Sequence, residues 1–279
     1  MSAAHTLADL RRSLAEAALR SAPAAMGRVS FGVAGLDEVL GGGLVRAALH
    51  EVYAPGTPDL AAATGFAVGL AIRAAGQRPI LWVRQDYLDA ETGALHPPGL
   101  SELGLDPARV LLVRARDAEG VLRAGSEAAR CGALGAALIE PWGDPRLFDL
   151  TATRRLSLAA EGSGVATVLL RASASQAPSA ARTRWLVQAL PSRALEANAP
   201  GDPAFRIRLL RHRGGRSECE WRVEWSRDRQ CFAERPVLPE KPVQPWQSPD
   251  VAPLSRPLVP FPADGQVAAG ETGPRRRAG

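Results

Sequence analysis

Short runs of apolar residues alternate with longer amphipathic stretches over much of this chain. The apolar runs that predict strands cover residues 47–53, 79–84, 110–114, 136–140 and 165–171. The stretches with helical spacing cover residues 60–75, 119–131 and 145–160. Continuously apolar strands separated by amphipathic helices are typical of a parallel sheet that helices cover on both faces. With right-handed crossovers, this order predicts an α/β fold, a three-layer sandwich around a mostly parallel central sheet.

The hydrophobic period changes to two in the last third of the chain. Charged residues alternate with apolar ones over residues 218–225, which predicts a half-buried strand. Residues 205–212 precede it across the glycine-containing turn 213–216, and residues 230–233 are a candidate third strand. These strands predict an antiparallel C-terminal hairpin at one edge of the sheet. The whole is predicted to be one core domain that covers residues 25–235.

The N-terminal residues 1–24 are predicted to be an amphipathic helix and a linker. Leu7, Leu10 and Leu14 have helical spacing within residues 6–20, and Ser-Ala-Pro at 21–23 separates them from the core domain. The apolar face of this helix could pack on its own domain, on another protomer or on a partner.

The C-terminal residues 236–279 are predicted to be a proline-rich, disordered tail. They contain ten of the chain's 23 prolines, and such a segment buries too little apolar surface to order itself. Extended proline-rich segments bind into grooves, so this tail is a second candidate for partner binding.

Composition argues against several classes of protein. Cys131, Cys219 and Cys231 lack C-x-x-C spacing, which argues against a disulfide framework or a zinc site and for a reducing cytoplasm. His50 and His212 have no clustered ligands, so no metal is expected. The N-terminus lacks the apolar core of a signal peptide, and no run approaches the roughly 18 apolar residues of a membrane span. The formal charge of +5 comes almost wholly from arginine, through genomic bias or as a surface for phosphates or acidic partners.

The loop after residues 47–53 stands where a P-loop ATPase carries G-x-x-x-x-G-K-[ST]. In that motif, backbone amides and the lysine bind phosphates, and the hydroxyl group holds Mg²⁺. Residues 54–61 read Ala-Pro-Gly-Thr-Pro-Asp-Leu-Ala instead. Asp59 replaces the second glycine, Leu60 replaces the lysine, and Ala61 replaces the residue with the hydroxyl group. The chain's only lysine is Lys241 in the tail. The residues of this degenerate nucleotide loop are Pro55, Gly56, Thr57, Asp59 and Leu60. We therefore expect neither ATP turnover nor a cofactor.

The opening of the core domain resembles that of the RecA superfamily. Residues 31–44 read Phe-Gly-Val-Ala-Gly-Leu-Asp-Glu-Val-Leu-Gly-Gly-Gly-Leu, similar to the T-G-x-x-x-L-D-x-x-L-G-G-G-L run before the first core strand of those proteins. Leu36 and Leu40 have i, i+4 spacing for packing, and the glycines permit a tight reversal. The chain is more similar to the ImuA family, which is RecA-like and related to SulA-type division inhibitors. That resemblance covers residues 25–235 and includes the lysine-free loop, the strand end at residues 139–142 and the strand at residues 218–225.

The ImuA resemblance implies a role in damage-induced mutagenesis. Members of that family act with ImuB, an inactive relative of the lesion-bypass polymerases of the Y family, and with an error-prone replicative-type polymerase. The resemblance thus implies a non-catalytic adaptor of SOS-induced translesion DNA synthesis, located in the cytoplasm at the nucleoid. RecA and single-stranded DNA are further candidate partners, and no membrane partner is expected.

Two other functions remain as alternatives. One is a SulA-like cell-division inhibitor that binds FtsZ. The other is a divergent ATPase that uses arginine in place of lysine, which is disfavoured because no arginine lies between Ala54 and Arg73.

Two positions at which RecA-type enzymes carry catalytic carboxylates also differ in this chain. Glu140 precedes Pro141 where an aspartate would hold Mg²⁺-bound water, and Asp86 is the only carboxylate near the position of the glutamate that polarises the attacking water. A carboxylate without bound Mg²⁺ and phosphates has nothing to activate. We therefore interpret Glu140 as a polar residue left at a strand end.

Two loops are candidates for contact with DNA or a partner. In RecA-like proteins the loops after the later core strands face single-stranded DNA, and the matching segments are residues 141–145 and 172–184. Trp142, Arg182 and Arg184 are the candidate contacts, because single-strand binding combines a basic groove with stacking aromatic residues. Alternatively, Trp185 lies in the core at the start of a helix and the arginines are merely solvated.

The densest basic stretch of the core domain supplies Arg206, Arg208, Arg211 and Arg213 as further candidate contacts. On a strand, Arg206 and Arg208 point to the same face and would offer a basic surface to phosphates or to an acidic partner. Alternatively, these arginines pair with the glutamates of residues 218–224 across the hairpin.

Overall fold

The computed structural model describes residues 27–171, 176–213 and 215–235. The strands in these ranges are β1 (Arg28–Val29), β2 (Leu44–Val45), β3 (Leu49–Tyr53), β4 (Ile80–Gln85), β5 (Val110–Ala115), β6 (Ala136–Glu140), β7 (Ala166–Arg171), β8 (Thr183–Leu190), β9 (Ala204–His212), β10 (Cys219–Ser226) and β11 (Cys231–Glu234). The α-helices are α1 (Ala34–Val39), α2 (Leu60–Ala75), α3 (Tyr87–Thr92), α4 (Pro97–Glu102), α5 (Ala118–Arg130) and α6 (Leu150–Ser163). Short 3₁₀ turns occupy Thr57–Asp59, Pro107–Arg109 and Glu196–Asn198.

Nine of these strands form one sheet in the order β11-β10-β9-β8-β3-β7-β6-β4-β5. The six strands from β8 to β5 run parallel to one another. The strands β9, β10 and β11 continue the sheet beyond β8 in antiparallel order. The predicted α/β fold, with a mostly parallel sheet and an antiparallel C-terminal edge, is confirmed.

Helices cover both faces of the sheet. Because successive strand residues point to opposite faces, β3 contributes Val52 to the apolar cluster around α2 and Leu49 to the cluster under α5 and α6. Phe66 of α2 lies in the first cluster and Leu156 of α6 in the second, and both are buried. The predicted three-layer arrangement is therefore present.

The segment that precedes β3 folds as its glycines and Asp37 dictate. The carboxylate of Asp37 accepts hydrogen bonds from the backbone N–H of Phe31 at 2.7 Å and from the hydroxyl of Ser30 at 2.6 Å. Gly43 has a φ of 112°, and a Cβ atom there would lie 2.2 Å from the carbonyl oxygen of Val29. Only glycine permits this close approach of two backbone segments. The reversal predicted from the glycine run is thus observed.

The C-terminal strands belong to the core because their aromatic side chains pack on α2. The ring of Phe232 lies 5.1 Å from that of Phe66 and 4.9 Å from that of Trp225. Gly69 provides the space for this contact, since a Cβ atom there would lie 2.8 Å from the ring of Phe232. The antiparallel edge is therefore held to the same core as the parallel strands.

Two details of local structure differ from the expectations. The helix predicted over residues 145–160 is α6, which begins at Leu150 because Asp149 caps it and accepts a hydrogen bond from the N–H of Ala152 at 2.7 Å. Residues 183–190 form the strand β8, so Trp185 lies in a strand and does not start a helix. Its ring is fully buried, 5.6 Å from that of Phe31.

Candidate functional site: the degenerate nucleotide loop and the surfaces around the sheet

The loop between β3 and α2 contains the residues of the predicted degenerate nucleotide loop. Gly56 precedes the 3₁₀ turn Thr57–Asp59, and α2 begins at Leu60. The side chain of Leu60 is buried in the core. The carboxylate of Asp59 accepts a hydrogen bond from the N–H of Ala189 at 2.8 Å, which ties the turn to β8. The predicted nucleotide loop therefore contains a core leucine and a carboxylate that is held by β8.

Glu140, at the end of β6, is buried and engaged by two donors. Its Oε2 atom accepts hydrogen bonds from Arg84 Nε at 2.8 Å and from Trp82 Nε1 at 2.9 Å. Burial raises the pKa of Glu140, and the charge of Arg84 opposes that rise. The interpretation of Glu140 as a residue merely left at the strand end is corrected, because its carboxylate joins β6 to β4.

Arg84 extends this network to the helix α3. One terminal nitrogen donates to the carboxylate of Asp89 at 2.9 Å, and the other donates to the hydroxyl of Thr92 at 3.0 Å. Asp86 lies at the surface and pairs with Arg114 at 3.1 Å. Both candidate carboxylates, Glu140 and Asp86, are thus paired with arginines of the protein itself.

Arg184 is not on the surface, which corrects its assignment as a candidate contact. Its Nε atom lies 3.0 Å from the carboxylate of Glu51, and a terminal nitrogen donates to the hydroxyl of Tyr53 at 2.7 Å. Ser179 donates to the other oxygen of Glu51 at 2.8 Å. Burial and the charge of Glu51 raise the pKa of Tyr53 to about 12, against the opposing effect of Arg184. One signal in the sequence indicates this network, namely the acidic Glu51 inside the buried strand β3.

Trp142 and Arg182 lie at opposite ends of the parallel strands of the sheet. Trp142 follows the carboxyl end of β6, where its ring lies 5.7 Å from that of the exposed Tyr87. Arg182 precedes β8 and donates its backbone N–H to Leu49, at the amino end of β3, at 2.7 Å. The length of β3, at a rise of about 3.3 Å per residue, places these two ends about 13 Å apart. The structure therefore does not bring the predicted loop contacts into one surface.

The basic stretch in β9 divides into two parts. Arg206 is partly buried with its Nε atom 3.8 Å from the carboxylate of Glu220, while Arg208 is exposed and stands opposite Glu220 in the ladder. Arg211 and Arg213 are exposed at the end of the strand, close to α6. The cross-strand alternative thus describes Arg206, whereas Arg211 and Arg213 belong to a different surface.

Two predicted contact elements lie outside the described residues. They are the helix with Leu7, Leu10 and Leu14, and the tail over residues 236–279.

His50 is buried and has partners that are unrelated to metal binding. Its Nδ1 atom lies 2.7 Å from Thr183 Oγ1, and its Nε2 atom lies 2.8 Å from the carbonyl oxygen of Val45. Burial lowers the pKa of His50 to about 4. In the part of the chain that the structure describes, no group of three His, Cys, Asp or Glu side chains could hold a metal ion. None of the helices described there is long and apolar enough to cross a membrane.

Comparisons with known proteins give similarity at the level of sequence and of fold. No protein-family model matches the chain. The proteins named Protein ImuA from two strains of Caulobacter vibrioides are 34% identical to it over 206 residues, which cover 67% of this chain and 80% of each relative. The crystal structure of the RadB recombinase superposes with a TM-score of 0.51 at 16% identity, over 75% of this chain and 100% of that one. The second similarity shows a RecA-like recombinase fold.

Proposed function

Because the chain belongs to the ImuA family, we propose that it is a non-catalytic adaptor in SOS-induced translesion DNA synthesis. The observation that carries this proposal is the state of the nucleotide loop within a RecA-like fold. Leu60 occupies the position of the phosphate-binding lysine and is buried in the core. A fold that elsewhere serves recombinases therefore supports binding to other proteins without ATP turnover.

The carboxylate at the end of β6 supports the same proposal. The buried Glu140 already accepts two hydrogen bonds, from Trp82 and Arg84. A general base or a ligand to Mg²⁺-bound water must be free to contact the nucleophile or the metal. The protein acts as a pseudo-ATPase in which Glu140 has a structural role.

The adaptor assembles with an ImuB-type inactive Y-family polymerase, and through it with an error-prone replicative-type polymerase. RecA and single-stranded DNA are further candidates for the same assembly, which operates in the cytoplasm at the nucleoid. The segments 6–20 and 236–279 remain candidate docking elements. This assignment of partners follows the family resemblance, and the exposed arginines of the core domain are compatible with it.

Affinity purification of the tagged protein from mitomycin-treated cells, followed by mass spectrometry, tests this proposal. We expect the ImuB-type protein to be recovered, and deletion of its gene to abolish recovery of the polymerase. Recovery of FtsZ alone, with filamentous growth on overexpression in undamaged cells, would identify a SulA-like division inhibitor instead. ATP hydrolysis by the purified protein on single-stranded DNA, lost in the Asp86→Asn variant, would refute the non-catalytic assignment.

A further inference from the structure

The helix α6 presents aliphatic side chains to solvent on the face that its own domain does not use. Leu150 and Leu158 are exposed by 51% and 59%, and Leu147, just before the helix, by 49%. The opposite face meets the sheet through residues that include the buried Leu156 and Ala160. Because residues at i, i+4 and i+8 share one side of a helix, Leu150, Arg154 and Leu158 form a continuous stripe. The packing of α6 on the sheet does not explain why the two leucines of this stripe are exposed.

A groove of about 450 Å³ runs between this stripe, residues 178–180 and the end of β9. Its charged lining consists of Arg154, Arg211, Arg213 and the single acid Glu161. Arg211 is held in place, since its side chain donates to the carbonyl oxygen of Ser179 at 3.0 Å. Within the described ranges, the side chains of Arg154 and Arg213 make no hydrogen bond or ion pair. The groove therefore combines exposed leucines with guanidinium groups that are free to bind anions.

This combination selects one class of partner over another. Guanidinium groups pair with carboxylates, and the leucines bury apolar surface against aliphatic side chains. Single-stranded nucleic acid also attracts arginine, but its bases require aromatic side chains for stacking, and none of the described residues that line the groove is aromatic. An amphipathic helix with leucines on one face and acidic residues beside them matches both features of the groove.

We propose that the groove formed by Leu150, Arg154, Leu158, Arg211 and Arg213 binds an acidic, leucine-bearing segment of a partner protein. The use of this surface in an assembly rests on the proposed adaptor function, whereas the binding itself is independent of it. None of the described residues that line the groove belongs to the degenerate nucleotide loop.

Fluorescence anisotropy with defined peptides tests the proposal. The probe is a labelled 16-residue helical peptide with leucines at i, i+4 spacing and glutamates on the flanks of that face. Two comparison peptides replace the glutamates with lysine or the leucines with serine. We expect only the first peptide to bind at physiological salt, and its affinity to rise at low salt because exposed charges are less screened there. A labelled 20-mer of deoxythymidine is titrated in parallel.

Two double variants separate the ionic and apolar contributions. Arg154→Glu with Arg213→Glu, and Leu150→Ala with Leu158→Ala, are each expected to weaken binding at least about tenfold. The matched controls are Arg116→Glu and Leu112→Ala, which change exposed side chains on the far side of the sheet at and after β5. The controls should bind like the wild type. All of these side chains are exposed, and thermal unfolding of each variant confirms that it is folded.

Three results would overturn the proposal. The first is absence of binding by the acidic leucine peptide, or binding that both double variants leave unchanged. The second is tighter binding of the oligonucleotide that is lost in the arginine variant, which would make the groove a nucleic-acid surface. The third is concentration-dependent dimerisation that the leucine variant abolishes, which would assign the face to a second copy of the chain. If the peptide binds but no ImuB-type partner is recovered from cells, the proposal that the groove binds such segments stands and the adaptor function is refuted.

Discussion

Arg84 Nε lies 2.8 Å from Glu140 Oε2 in the interior of the protein, although the two residues are 56 positions apart in the sequence. The ion pair joins β4 to β6 near the carboxyl ends of these two strands. Both side chains are almost fully buried, so the attraction between them offsets the cost of removing two charges from water. The stability of the protein therefore depends on both members of the pair.

Removal of one member of this pair should destabilise the protein strongly. Arg84→Ala leaves the carboxylate of Glu140 buried without its cation, and we expect a loss of about 3 kcal/mol in the free energy of unfolding. The double variant Arg84→Met with Glu140→Leu should lose less, because no uncompensated charge remains. Urea unfolding followed by tryptophan fluorescence measures both. Arg114→Ala, at an exposed ion pair, is the control and should cost less than about 1 kcal/mol.

If Arg84→Ala and the double variant were equally destabilised, the pairing of charges would not be the cause. The loss would then have to come from packing around the guanidinium group.

Restoration of a lysine at the nucleotide loop should not restore ATPase activity. Leu60→Lys places an ammonium group at a core position and should cost about 2 kcal/mol or more in the free energy of unfolding. The triple variant with Asp59→Gly and Ala61→Thr rebuilds the motif, yet Glu140 stays engaged by Trp82 and Arg84. Radiolabelled ATP hydrolysis and urea unfolding are the measurements, and Leu60→Met is the volume-matched control. ATP turnover by the triple variant would show that Glu140 and its neighbours can still support hydrolysis.

Stability should fall in acid because His50 must stay neutral in the folded protein. Its pKa falls from an ordinary value of 6.5 to about 4, with burial as the main cause. The unfolded chain therefore binds the proton first, and the full stability is present above pH 6.5. About 3 kcal/mol should be lost as the pH falls from 6.5 to 4, at about 1.4 kcal/mol per pKa unit.

Urea unfolding between pH 4 and pH 7 measures this dependence. In His50→Gln, the pH dependence of the free energy of unfolding should lose the part that is due to His50. The variant should be less stable at every pH because it disturbs the hydrogen bonds to Thr183 and Val45. The matched substitution is His96→Gln at an exposed position, and its slope is measured beside that of His50→Gln. An unchanged slope in His50→Gln would mean that other groups dominate the acid response.

Two glycines of α2 should respond to alanine in opposite ways. A Cβ atom at Gly69 would lie 2.8 Å from the ring of Phe232 and 3.0 Å from that of Trp225, so Gly69→Ala should cost about 1–3 kcal/mol. A Cβ atom at Gly65 would lie 3.5 Å from the ring of Phe205, which is ordinary contact. Gly65→Ala should therefore be neutral or stabilise the protein by up to about 1 kcal/mol, because alanine favours helix. Thermal unfolding compares them, and equal effects would show that the aromatic rings shift freely.

The sequence alone determined the alternation of strands and helices and the sheet type. The match is close for α2, since residues 60–75 were predicted and Leu60–Ala75 is observed. The missing lysine was equally plain, because a P-loop is a local motif with fixed spacing. Such features are readable because periodicity and short motifs depend on neighbours in the chain.

Only the tertiary structure decided which charged residues are buried and which surfaces form. The prediction that Arg184 lies at the surface comes from its place in the loop 172–184, yet strand order places it beside Glu51 of β3. Trp142 and Arg182, both predicted as loop contacts, lie at opposite ends of the parallel strands. Arg213 joins Arg154 of α6 at a groove. These relations depend on which strands are neighbours and on which helix covers them. That information resides in contacts between distant parts of the chain, which local patterning does not encode.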